Sequence, residues 1–235
     1  MRKGKIIVFE GLDYSFKETN SKKLYQYIKE NITEKVKLLS FPNYNSESSY
    51  FVKQYLQGKY GDLNEVNEYI TSLFYLLDRY DTIKKENIEE LLNQGYYIIL
   101  DRYTGSNLIF QSTKIDQRYE DPVISNIYKM SYLKWIKELE HEACNLPKAD
   151  ITIYMNMPVK VSFELMKQRQ LKNQQDKDIH EGNRKYLELV EENAMNIAIT
   201  HLWNIVNCVD EELNIKSEEQ LFNEILDIFK NNCTN

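Results

Sequence analysis

The stretch Lys5-Ile6-Ile7-Val8-Phe9-Glu10-Gly11-Leu12-Asp13-Tyr14-Ser15-Phe16-Lys17-Glu18-Thr19 decides the fold class. Lys5–Phe9 is a short apolar run rich in β-branched residues and reads as a strand, while Ser21–Glu30 reads as an amphipathic helix. A turn that joins a strand to a helix directs backbone N–H groups and the helix N-terminus at one point, a ready site for an anion, and Lys17 adds a mobile positive charge. The complete phosphate-loop pattern has glycine where Phe16 stands and a hydroxyl where Glu18 stands; Thr19 supplies its hydroxyl one position late. The Cβ of Phe16 resists positive φ, and the Glu18 carboxylate repels phosphate unless it points away or meets a metal. Taken alone, the segment also reads as an ordinary surface turn.

Working outward, a chain of 235 residues buries one substantial core, so residues 1–235 are expected to form a single domain. Hydrophobic residues at 42% and charged residues at 28% place it among soluble globular proteins. No apolar run reaches a membrane span, and Met1-Arg2-Lys3-Gly4 leads straight into the first strand, which predicts a cytoplasmic protein without a membrane partner. A net charge of −6 argues against nucleic acid as a partner. Cys144, Cys208 and Cys233 are too scattered for a disulfide framework or a metal knuckle and read as incidental or buried thiols.

Short apolar strands alternate with longer amphipathic segments, the pattern of an α/β fold in which helices cover both faces of a parallel sheet. Strands are predicted at Lys5–Phe9, Val36–Phe41, Tyr96–Asp101, Ile151–Asn156 and Asn204–Val209. Helices are predicted at Ser21–Glu30, Ser48–Gln57, Asn64–Tyr80, Thr82–Asn93, Val123–Glu138, Val159–Gln168, Asn183–Thr200 and Ser217–Phe229, with Gly95 as a helix stop and Pro158 in a first turn. In such a sheet, ligands gather at the carboxyl ends of the strands. Here those ends read Glu10-Gly11-Leu12-Asp13, Phe41-Pro42-Asn43-Tyr44 and Asp101-Arg102-Tyr103, the last followed by Ser106 and Phe110-Gln111.

Four blocks in this order resemble the thymidylate kinases: Phe9-Glu10-Gly11-Leu12-Asp13 with Lys17 and Thr19; Leu73-Phe74-Tyr75-Leu76-Leu77-Asp78-Arg79; Asp101-Arg102-Tyr103-x-x-Ser106 with Phe110-Gln111; and Asp178-Ile179-His180-Glu181. The resemblance implies a five-stranded P-loop nucleoside-monophosphate-kinase fold, ATP and Mg²⁺, dTMP as acceptor, and a homodimer. It implies a donor site at Gly11, Tyr14, Ser15, Phe16, Lys17, Glu18 and Thr19, with Asp101 and Thr19 on the metal side. Arg102 would clasp the acceptor phosphate, since a guanidinium fork matches phosphate oxygens, and Asp13 would orient the acceptor. Pro42, Tyr75, Arg79, Ser106 and Gln111 would complete acceptor recognition, Tyr75 by stacking and Gln111 by donating and accepting hydrogen bonds. Plainer readings are core packing for Tyr75, a solvated Arg79, helix-surface roles for Ser106 and Gln111, and a simple ion pair between Arg102 and Asp101.

The polar segment around 169–181 reads as a mobile lid, or as a solvated charged face. As a lid it would bring Arg169, with Lys172 behind it, to the transferring phosphoryl group, because Tyr14 stands where some family members carry a loop arginine. His180 reads as structural. Family members also place an arginine two residues before or after the proline of the second strand end, where this chain has Ser40 and Tyr44. That departure leaves two alternatives open: a kinase of the same fold acting on another nucleotide or a nucleoside, and a catalytically silent nucleotide-binding protein.

Overall fold

The computed structural model describes residues 3–173 and 183–233, giving backbone alone for 169–173. The 169–181 segment, the Arg169 and Lys172 side chains and His180 therefore lie outside the described side chains. Five strands, β1 (Lys5–Glu10), β2 (Val36–Ser40), β3 (Tyr97–Asp101), β4 (Ile151–Asn156) and β5 (Asn204–Asn207), form one all-parallel sheet in the order β2-β3-β1-β4-β5. The register aligns Phe9 with Asp101 and Ser40 with Asp101, so the first three strands end side by side.

The strands are apolar on both sides because both faces are covered. Ile7, Phe9, Ile99 and Ile153 face α1 (Lys17–Asn31) and α9 (Glu218–Cys233), packing with Leu24, Ile28, Ile225 and Phe229. Ile6, Val8, Ile98 and Leu100 face the other way, toward α3 (Glu68–Lys85) and α4 (Ile88–Asn93). A second apolar layer joins α6 (Pro122–Lys137) and α8 (Arg184–Thr200) to the buried segment that follows β3. The remaining helices are α2 (Tyr50–Leu56), α5 (Ser112–Arg118) and α7 (Val159–Asn173).

Several predicted boundaries move, each for a local reason. Helix α1 begins at Lys17, four positions before Ser21, and its N-cap Phe16 has left-handed backbone and no side-chain cap, so the usual sequence signal for a start is missing. The predicted helix Thr82–Asn93 is divided: α3 continues to Lys85, and Asn87 at φ 51° turns the chain into α4. Gly95 does stop α4, with Tyr96 N donating to Leu91 O and Gly95 N to Leu92 O, the pair of bonds that closes a helix end through a left-handed residue. Pro158 sits just ahead of α7, its carbonyl accepting from Val161 N and Ser162 N at 3.0 Å. Segment Asn107–Gln111, a wide π-type turn, and α5 fall outside the predicted helices, although one plainer reading set Ser106 and Gln111 on a helix surface. They are buried from Asn107 through Ile115, so they carry no polar stripe for periodicity to reveal. No helix among the described residues is long and apolar enough to cross a membrane.

Candidate functional site

The loop between β1 and α1 curves tightly. Gly11 has φ 149°, and a Cβ there would stand 2.7 Å from Met155 O and 2.8 Å from Ser15 Oγ, so glycine is needed at this position. Tyr14 and Phe16 also take left-handed backbone, at φ 61° and 62°, a conformation that costs a side-chain-bearing residue about 1–2 kcal/mol. The Phe16 ring packs on the apolar layer under α1. Among the described residues, nothing accepts a hydrogen bond from the backbone N–H groups of Ser15, Phe16 or Lys17. Three unclaimed donors at a helix N-terminus are what an oxyanion requires.

Lys17 is buried, and its ammonium donates to the Leu12 carbonyl and to Ser15 Oγ, the latter at 3.2 Å. Burial is the main cause lowering its pKa to about 8; Arg102 adds to the effect, and the carboxylates of Asp13, Asp101 and Glu10 oppose it. Its present acceptors are neutral, so an arriving phosphate offers a stronger partner. Glu18 points outward to Lys22, one helical turn away at 2.6 Å, so an exposed ion pair occupies the carboxylate expected to trouble the loop. The loop opens on a cavity of about 580 Å³ whose walls include Thr19, Asp101 and Arg102.

Asp101 ends β3 at the floor of this cavity. Burial raises its pKa, an effect that Lys17 and Arg102 partly cancel, and its Oδ1 has no partner. Arg102 follows in left-handed backbone at φ 66°, pinned by its N–H to Phe9 O at 2.8 Å. Its guanidinium donates to Gly11 O at 2.8 Å and to Asp13 Oδ1, and lies over the Phe110 ring at 5.2 Å. Among the described residues Arg102 thus pairs with Asp13 and not with its chain neighbour Asp101. Burial works against the charge, yet Asp13, Asp101 and Glu10 hold the Arg102 pKa above its ordinary value.

A narrower cavity of about 90 Å³ continues past Arg102, between Pro42, Tyr75, Arg79, Ser106 and Gln111. All seven residues expected on the acceptor side, these five with Asp13 and Arg102, therefore line one slot. Arg79 is not solvated: it is 1% exposed, paired with Glu140, and bonded to Tyr103 O at 3.5 Å, with Nε unpartnered. Gln111 is also buried, and its Oε1 has no partner. Neither is a surface residue. The Ser106 hydroxyl donates to Glu10 Oε2 at 2.6 Å, which leaves it only lone pairs to offer a ligand.

Sequence reasoning passed over Glu10, Glu140 and Asn107. Glu10 is fully buried at the end of β1, and its carboxylate accepts from Tyr103 N (2.8 Å), Ser106 N (3.0 Å) and Ser106 Oγ (2.6 Å). Burial raises its pKa, and these bonds with the Arg102 charge work against that rise. Glu10 thereby clamps the loop carrying Arg102; a carboxylate ending an apolar strand was the available signal. Glu140, whose pKa burial also raises, accepts from Arg79 and from Asn107 Nδ2 at 2.9 Å.

Among the described residues no group of three or more His, Cys, Asp or Glu side chains is placed to hold a metal by itself. Mg²⁺ at a phosphate site uses one or two carboxylates and completes its shell with phosphate oxygens and water, so the bare Oδ1 of Asp101 with Thr19 nearby fits such an ion.

The family model described as thymidylate kinase matches residues 9–212. The chain belongs to the thymidylate kinase family. It is 31% identical to the thymidylate kinase of Plasmodium falciparum over 157 residues, covering 67% of this chain and 63% of that one. It is 27% identical to the human thymidylate kinase over 156 residues, 66% of this chain and 62% of the relative. The matched stretch thus spans about three fifths of each curated relative. Among solved structures, the thymidylate kinase of Candida albicans superposes with a TM-score of 0.72 at 23% identity, covering 99% of this chain and 93% of that one. The enzyme from Ehrlichia chaffeensis gives 0.64 at 19% identity, covering 96% and 98%. These likenesses establish the P-loop kinase-like α/β fold.

Proposed function

We propose that the chain, acting as one domain, transfers the γ-phosphoryl group of ATP to dTMP, giving dTDP and ADP. The observation that carries this reading is the shared wall: Asp13 and Arg102 line both the cavity at the phosphate loop and the slot at Tyr75 and Gln111. A donor phosphate held by the loop amides and Lys17 and an acceptor phosphate held by Arg102 would meet there. Phosphoryl transfer needs little more than alignment and charge neutralisation, which these groups supply. Gln111 and Arg79 would meet the polar edge of the base, and Tyr75 would stack on its face. Asp101 and Thr19 would hold Mg²⁺, which contributes charge neutralisation on the phosphates when bound.

The reading includes a cytoplasmic location, where ATP is at hand, and a homodimer. The dimer is supported by the exposed apolar side chains Ile70 and Leu77 on α3 and Val123, Ile127 and Met130 on α6. One specific observation favours a wider acceptor range: Tyr44, at a position where the resemblance implies an arginine, lines both cavities.

A coupled ADP-release assay with a panel of nucleosides and monophosphates tests the proposal. The expected result is ADP release that depends on dTMP and collapses in Lys17→Ala and Arg102→Ala. Turnover on nucleosides but not monophosphates would move the assignment to a nucleoside kinase, and no turnover with any acceptor would refute catalysis.

A further inference from the structure

On the far side of the Glu10 clamp lies a third cavity, of about 360 Å³, which shares only Tyr103 with the acceptor slot and nothing with the donor cavity. That volume falls within the range of about 300–1,000 Å³ typical of small-molecule sites. Its apolar surface comes from Val8, Leu108 and Ala149, and one wall is the indole of Trp203. The indole is fixed in place: a Cβ on Gly105 would stand 2.7 Å from Trp203 Cη2 and 2.8 Å from Glu10 Oε1, so the ring tip fills the room that only glycine leaves.

The charges around this cavity do not cancel evenly. Glu10 is occupied by its three donors, Glu142 pairs with Lys148 at 3.3 Å, and Glu138 approaches Lys134 at 3.9 Å. His141 Nδ1 is engaged with Leu146 O at 2.9 Å. His201 Nδ1 lies 3.0 Å from Ile197 O, and its sheltered Nε2 has no partner. Burial and the neighbouring Lys137 both lower the His201 pKa, which favours the neutral ring. Lys137 is the exception. Among the described residues its ammonium makes no ion pair or side-chain hydrogen bond, and it is partly desolvated with no carboxylate to offset the cost.

We propose that this cavity is a binding site for a small planar aromatic anion, the ring lying along Trp203 and the anionic group meeting Lys137. An aromatic ring matches the indole and the apolar floor, and an anion supplies the countercharge the protein leaves out. The site stands apart from both nucleotide cavities, so its occupancy does not depend on the kinase reading.

The test is calorimetric titration of the intact protein, saturated with ATP, with 2-naphthoate and with neutral 2-naphthamide. Wild-type protein, Lys137→Met and Ala149→Trp are compared, the last placing bulk in the cavity. The expected result is one-to-one binding of 2-naphthoate with Kd below about 1 mM, weakened at least tenfold by either substitution and at least tenfold for the amide. Thermal melting confirms that each variant is folded; should Ala149→Trp fail to fold, Lys137→Met decides. Absence of binding, equal affinity for the amide, or affinity unchanged in Lys137→Met would overturn the proposal.

Discussion

The loop between β1 and α1 and the wall of the narrower cavity meet at Arg102, yet they are built by opposite means. In the loop, two aromatic residues hold left-handed backbone and three backbone donors have no acceptor, so the structure carries strain and unmet hydrogen-bonding capacity. Along the wall, Glu10, Glu140 and Arg79 are buried charges, each held by hydrogen bonds or a countercharge. Unmet donors at a strained turn mark a place prepared for a ligand, whereas a buried network bonded mainly within itself, with Arg79 Nε and Gln111 Oε1 left over, fixes geometry before a ligand arrives. Phenylalanine can stand at a glycine position of the loop because its ring packs on the layer under α1 while its backbone keeps the left-handed turn.

Substitutions can break this contrast in graded ways. The largest effect belongs to the groups between the two regions: Lys17→Ala and Arg102→Ala should each lower kcat/KM by roughly a thousandfold or more, measured by ADP release, because each removes charge stabilisation of the transferring group. Next comes the wall. Arg79→Met strands the buried Glu140 carboxylate and should cost about 3–5 kcal/mol in urea unfolding, and the double variant Arg79→Met with Glu140→Leu should recover much of that loss. A loss far below this in the single variant would show that Glu140 is already neutral.

Acidity separates the regions next. With the Lys17 pKa lowered to about 8, the side chain loses its charge as pH rises past that value, so kcat/KM for ATP should fall between about pH 8 and 9 and be flat from pH 7 downward as far as Lys17 is concerned. A profile that stays level to pH 10 would mean that Lys17 keeps an ordinary pKa. The smallest effect is in the backbone of the loop. At φ 62°, Phe16→Gly should be more stable than Phe16→Ala by about 1 kcal/mol, since both lose the ring but only glycine sheds the strain. Equal stabilities would show that the loop relaxes when the ring is removed.

The contrast also explains what could be read from the sequence. All five strands and the turn from β1 into α1 were legible because they depend on local patterns, apolar runs and a glycine six residues before a lysine. The Asp101-Arg102-Tyr103 block was legible because its spacing is short. Arg79 with Glu140 was not: the partners are 61 residues apart, and no periodicity links a helix arginine to a glutamate in another helical turn. The buried run from Asn107 to Ile115 was hidden for a related reason, since a helix covered on every side has no polar face to report it. Phe16 could be read either as resisting the turn or as a permitted substitution. Its left-handed backbone, with the ring packed under α1, is the second.

The most direct measurement is calorimetric titration of Mg-ATP into wild-type protein and into Lys17→Ala. If the unclaimed amides of Ser15, Phe16 and Lys17 and the Lys17 ammonium form a working phosphate cradle, the wild type binds one ATP and the variant binds at least tenfold more weakly, a difference of about 1.4 kcal/mol or more. No binding by the wild type, or equal affinity in the two proteins, would contradict that account.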